Sequence, residues 1–244
     1  MKIDILAIAA HPDDAELSCS GTLMLHKLKG YTTGIIDLTQ GEMGSRGSIE
    51  IRYEESEESK KILQLDVREN LKFRDGFFKN DEEHQMILIQ TIRKYQPNII
   101  LCNAPKDRHP DHSRAAQLVK DACYLSGLSK IKTTFEQKKQ DPWRPKKVFN
   151  YIQDQYIEPD FLIDISTTIQ QKVESIKAYK SQFSTQNENE PITYISSENY
   201  VEKVKFRNAL FGKKIGVEYA EGFLALYNHI GLKSFDDIIL PDLV

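Results

Sequence analysis

Several things are scarce in this chain of 244 residues, and each scarcity closes off a class of protein. Cysteine is one. Cys19, Cys102 and Cys123 are an odd number with no CxxC pair, which argues against a disulfide framework and an all-thiolate zinc site. All three lie in apolar stretches and read as small buried side chains in a reducing compartment. An excess of charge of one sign is also lacking. The net charge of −3 is too small to imply nucleic acid as a partner, since phosphate binding needs a clustered basic face. No run approaches the roughly 18 apolar residues of a membrane span. The N-terminus enters a strand pattern without a charged-then-apolar leader. The expected location is therefore the cytoplasm, with neither nucleic acid nor membrane as a partner. There is no long Gly, Ser or Pro linker and no internal repeat. One domain over 1–244 is expected, with a C-terminal elaboration and a polar flap near 184–199 (STQNENEPITYISSEN).

What is present is an alternation. Apolar runs of strand length occur at 3–10, 33–39, 98–103, 147–152 and 161–165. The first three are nearly continuous rather than alternating, as strands covered on both faces are. Helical patterns fall at 16–29, 50–64, 82–95, 112–126, 166–183 and 197–213, and Asp111 is placed to cap the fourth. This predicts an α/β class: a mostly parallel, Rossmann-like sheet with helices on both faces.

Ligands of such sheets bind beyond the carboxyl ends of the strands. His11-Pro12-Asp13-Asp14 follows the first strand, and Arg108-His109-Pro110-Asp111-His112 follows a later one. A turn needed only for folding would more cheaply use Gly, Asn or Ser. Two strand-ending loops that each offer His and Asp point to a divalent metal held between them, with a coordination place left for water. Adjacent aspartates allow one ligand and one base. Two histidines three apart allow one ligand and one acid. His112 opens a helix, whose dipole favours the neutral, ligating imidazole. The rival reading, a nucleotide-binding module without hydrolysis, fits the strand-turn-helix but meets two carboxylates where a pyrophosphate would lie.

AHPDDAE with HPDH resembles the LmbE-like, or PIG-L, family of zinc-dependent N-deacetylases. The longer blocks IIDLTQGEMGSRGS, DGFF, KDRHPDHSRAA, WRPKKVFNYIQD, AYKSQF, TYISS and YAEGF look like the bacillithiol-biosynthesis deacetylases of the BshB type. The resemblance implies a small sugar substrate, N-acetylglucosaminyl malate or another N-acetylglucosaminyl compound, and a homo-oligomer such as a hexamer. It implies zinc on His11, Asp14 and His112, although Fe2+ and Co2+ suit the same ligands. It makes Asp13 the general base and His109 the electrostatic stabiliser and acid, with Asp111 the carboxylate that orients it. Arg52 would bind substrate, and Tyr194 in the polar flap would help hold the oxyanion. Malate carries two carboxylates, so at least one of Arg46, Arg52 and Arg108 is expected to meet them. LSCSGT stands where the family has LGCGGT. Ser18 and Ser20 are expected to narrow the space behind the metal loop without removing a ligand.

Overall fold

Alternate residues of the first strand, β1 (Ile5–Ala9), enter two different cores. Leu6 and Ile8 pack with Leu88, Ile92, Leu118 and Val119, whereas Ile5, Ala7 and Ala9 pack with Ala15, Leu23 and Met24. Both faces of the strand are covered, which is why its sequence reads as an unbroken apolar run. The computed structural model describes residues 1–183, 191–197, 199–226, 229–234 and 237–238. Most of the expected flap, 184–190 and 198, lies outside the described residues.

In chain order the elements are β1, α1 (Asp14–Ser18), α2 (Ser20–Leu28), β2 (Thr33–Thr39), α3 (Ile49–Ile62) and β3 (Val67–Phe73). Next come α4 (Glu82–Tyr95), β4 (Ile99–Cys102), α5 (Pro110–Leu125) and a short hairpin, β5 (Thr134–Phe135) with β6 (Lys138–Lys139). The chain continues through β7 (Lys147–Tyr151), β8 (Phe161–Asp164), α6 (Ile169–Lys177), α7 (Lys180–Phe183), α8 (Tyr200–Ile215) and β9 (Ala220–Leu224). The main sheet has the order β3-β2-β1-β4-β7-β9-β8. Its first five strands are parallel, and β9 runs antiparallel to both of its neighbours. The fold is thus the expected α/β class. Strand order reverses between β1 and β4, so the loops that follow these two strands share one crevice.

Two strands of the main sheet and the hairpin were not anticipated. β3 (VRENLKF) is a polar edge strand with only β2 beside it. β9 (AEGFL) carries a glutamate into a buried position. The hairpin lies in what reads as a surface excursion. The helix expected over 16–29 is broken at Cys19, whose φ of −138° leaves the helical region. There the Glu16 carbonyl is taken by the Ser20 hydroxyl at 2.8 Å and by the Lys172 ammonium of α6 at 2.9 Å. All three cysteines are buried free thiols. Among the described residues no helix is long and apolar enough to cross a membrane.

Lys172 and Glu221 are fully buried and meet at 2.7 Å. Glu221 also accepts the backbone N–H of Gly21 (3.0 Å) and Thr22 (2.7 Å), which ties β9 to the start of α2. Burial pulls the Lys172 ammonium below its usual range, and Glu221 holds it charged against that pull. Lys172→Met would strand the carboxylate. We expect a loss of about 3–5 kcal/mol, read from the urea midpoint of unfolding. A loss under about 1 kcal/mol would mean that the pair is not carrying an uncompensated charge.

Candidate metal centre

The turn after β1 brings His11, Asp13 and Asp14 to the crevice, the loop after β4 brings Asp107 and His109, and the first turn of α5 brings His112. The rings of His11, His109 and His112 converge, with one nitrogen of each within 4.8 Å of the others. Asp14 lies between two of them. Its Oδ2 is 3.4 Å from His11 Nδ1 and its Oδ1 is 3.1 Å from His112 Nε2.

The outer atoms of these groups are held from behind. His11 Nε2–H donates to Asp75 (3.1 Å) and Asp111 (3.3 Å). His112 Nδ1–H donates to Asp107 at 2.5 Å. Asp14 accepts from the His11 amide (3.0 Å), Asn103 (3.1 Å) and Gln153 (3.1 Å). Such anchoring fixes the ring tautomers, so the free lone pairs of His11 Nδ1 and His112 Nε2 face a carboxylate. Acceptors facing acceptors need either extra protons or a shared cation. This donor set, two imidazoles and a carboxylate with supporting carboxylates and amides behind them, suits a divalent metal. Without one the site favours protons. Burial would lower the His112 pKa, but the Asp14 charge and the Asp107 hydrogen bond hold it up at about 9. The helix-dipole expectation of a neutral His112 therefore gives way to two carboxylates in direct contact.

Asp13 points into the crevice without joining this set. Burial, the largest influence, lifts its pKa to about 7, with Arg52 opposing and Asp14 reinforcing the rise. Its backbone is strained at φ 108°, an uncommon left-handed setting for a non-glycine residue. Arg52 holds the turn there, donating to the Pro12 carbonyl and lying 3.3 Å from the Asp13 carboxylate. Gly41, at φ 68°, leaves the room for it: a Cβ there would come within 3.2 Å of the guanidinium carbon. Deeper still, fully buried Glu16 accepts from Arg68 (2.5 Å), Ser59 (2.6 Å) and Tyr179 (3.0 Å). It belongs to an internal ion cluster beneath the metal loop.

Several sequence assignments need correcting. Asp111 does not orient His109 through its carboxylate, which is spent on His11, the Gly76 amide and Arg114. Instead the Asp111 backbone N–H donates to His109 Nδ1 at 3.2 Å, so His109, not Asp111, caps α5. Arg46 is buried away from the cavity, with its guanidinium on the carbonyls of Ser181 (2.7 Å) and Pro191 (3.1 Å). Tyr194 is 51% exposed and gives its hydroxyl to Asp154 at 3.1 Å. Arg108 lines the cavity mouth, 3.3 Å from Asp154 and stacked over the Tyr194 ring. Of the two serines, Ser18 lines the cavity, while the Ser20 hydroxyl turns back to the Glu16 carbonyl. The cavity measures about 230 Å3, below the roughly 300–1,000 Å3 usual for ligand pockets. Sequence reading assigned no role to Asp75, Asp107, Gln153, Tyr200 and Arg207; the first three stand in quoted motifs (DGFF, KDRHPDHSRAA and WRPKKVFNYIQD), and the two from α8 stand in none.

Asp107→Asn would present an N–H to His112 Nδ1 and push the ring proton toward Nε2. Zinc affinity is expected to fall about 10–100-fold in a chelator competition assay; unchanged affinity would show that Asp107 does not set this ring.

Comparison with known proteins agrees with the geometry. The sequence profile of PIG-L, described as GlcNAc-PI de-N-acetylase, matches residues 6–123, which contain both His/Asp loops. The crystal structure of the conserved protein TT1542 from Thermus thermophilus superposes with a TM-score of 0.84. It is 37% identical, over 95% of this chain and 98% of that one. A diacetylchitobiose deacetylase of Thermococcus kodakarensis is 27% identical over 228 residues, 89% of this chain and 81% of its own length. A probable N-acetyl-alpha-D-glucosaminyl L-malate deacetylase 2 of Bacillus anthracis is 22% identical over 194 residues, 74% of this chain and 82% of its own. Motif, fold and likeness converge, and the chain belongs to the PIG-L family of N-deacetylases.

Proposed function

We propose that this enzyme hydrolyses the acetamide of N-acetylglucosaminyl malate to glucosaminyl malate and acetate. The observation that carries the hydrolytic part is the meeting of His11, Asp14 and His112 beside an unligated Asp13 with its pKa near 7. These three residues would hold zinc, or Fe2+ or Co2+, and a cation there acidifies water and polarises the amide carbonyl.

The chain's own groups do the rest. Asp13 takes a proton from the attacking water, a task suited to a carboxylate that titrates near neutrality. The hydroxide adds to the carbonyl carbon. His109 carries its proton on Nε2, because Nδ1 accepts the Asp111 amide, and it donates that N–H to the developing oxyanion. Burial, and then the charges of His11 and His112, lower its pKa, which favours this neutral donor over a protonated acid. Asp13 then returns its proton to the nitrogen as the C–N bond breaks. Arg52 keeps Asp13 in its strained turn throughout.

The substrate assignment rests on the cationic groups of a cavity otherwise rich in aspartate, Arg52, Arg108 and Arg207, and on the likeness to the Bacillus anthracis protein. A second reading, a neutral disaccharide such as diacetylchitobiose, is favoured by the Thermococcus relative.

Two measurements test this. Asp13→Ala should retain stoichiometric metal and lose about 10²–10⁴ in kcat, whereas His112→Ala should lose the metal; wild-type turnover by Asp13→Ala would overturn the mechanism. N-acetylglucosaminyl malate should be turned over with at least about tenfold higher kcat/KM than diacetylchitobiose, and neither should react after chelation. Equal or better use of the disaccharide would end the malate assignment and leave the hydrolysis standing.

A further inference from the structure

The cavity is also lined from α8. Tyr200 in its first turn and Arg207, seven residues on, both reach the cavity. The Tyr200 residue is only 8% exposed. Its ring stacks on Phe183 at 5.9 Å and meets Tyr194 edge-on at 5.6 Å. Its hydroxyl has no hydrogen-bond partner among the described residues.

Arg207 donates to the carbonyls of Gln153 and, at 2.6 Å, Leu17. Its charge is the unusual part. Arg52 lies 3.3 Å from Asp13 and Arg108 lies 3.3 Å from Asp154. Among the described residues no carboxylate comes within ion-pair distance of Arg207. Burial lowers its pKa, and Tyr200, Glu221, Asp154 and Asp107 act on it electrostatically without forming an ion pair. A desolvated guanidinium without a counter-charge is costly, and an anionic ligand would supply one with fork geometry to match.

We infer that Tyr200 and Arg207 form a carboxylate-binding subsite, which holds the acidic aglycone of the substrate while its acetamide reaches the His11–Asp14–His112 centre. The inference rests on the acidic-aglycone reading above and assigns it to residues outside both His/Asp loops. Tyr200, buried and unpaired, replaces Tyr194 as the tyrosine that meets substrate.

The test is the ratio of kcat/KM for N-acetylglucosaminyl malate to that for the neutral methyl glycoside of N-acetylglucosamine. Wild type should favour the acid. Arg207→Gln should lower the ratio about tenfold or more, chiefly through KM, as loss of a charge-assisted hydrogen bond does. Arg207→Lys should restore part of it. Tyr200→Phe keeps the ring stacking and should lower the ratio several-fold; it carries the test if Arg207→Gln does not fold. If the variants lose both substrates equally and the ratio holds, Arg207 only props the Gln153 and Leu17 carbonyls, and the subsite is refuted. If wild type shows no preference for the acid, the acidic-aglycone reading fails first, and the subsite fails with it.

Discussion

The Asp14 carboxylate is the point on which the molecule's separate parts converge. It lies on the turn after β1, faces an imidazole from the loop after β4, and accepts from Asn103 after β4 and from Gln153 after β7. Three strand ends are thereby tied to one group of two oxygens. Because both flanking imidazoles already give their outer N–H to other carboxylates, the inner atoms are all acceptors. The protein has arranged a deficit of positive charge at a single place, and a cation resolves it.

The sheet makes this possible without long-range precision in any one loop. Strand order reverses between β1 and β4, so their C-terminal loops emerge side by side. The positions of His11 and His112 then follow from register: Ile8 is opposite Cys102, and each loop begins within a few residues of that pair. Strain at Asp13 is offset by Arg52, which reaches across from α3. Beneath them, the Glu16–Arg68–Asp37 cluster and the Lys172–Glu221 pair bind the metal turn to β3, α6 and β9 through buried charge rather than apolar contact alone.

Local pattern carried a good deal of this. The continuous apolar runs at β1, β2 and β4 were readable because both faces of those strands are buried. Most helices were readable from apolar periodicity, and the candidate metal-binding residues because His and Asp are unusual in strand-ending turns. β3 escaped because an edge strand has half its pairing exposed and Arg68 enters a charge cluster rather than an apolar core. β9 escaped because the groups that let Glu221 be buried, Lys172 and the Gly21 and Thr22 amides, lie far along the chain. Arg46 read as one of three arginines that could meet the substrate carboxylates, yet folding turns it toward backbone carbonyls at 181 and 191.

By itself, then, the sequence determined the class of fold, the two loops and the chemistry they offer, since periodicity and residue type are local properties. Only the tertiary structure decided how those groups are divided. It set Asp107, Asp75 and Asp111 behind the imidazoles, gave His109 its proton on Nε2 through a backbone amide, and brought α8 across the cavity with Tyr200 and Arg207. Isolated polar residues carry no periodic signal, and their partners come from strands and helices far along the chain, so their roles exist only once the sheet has closed around the crevice.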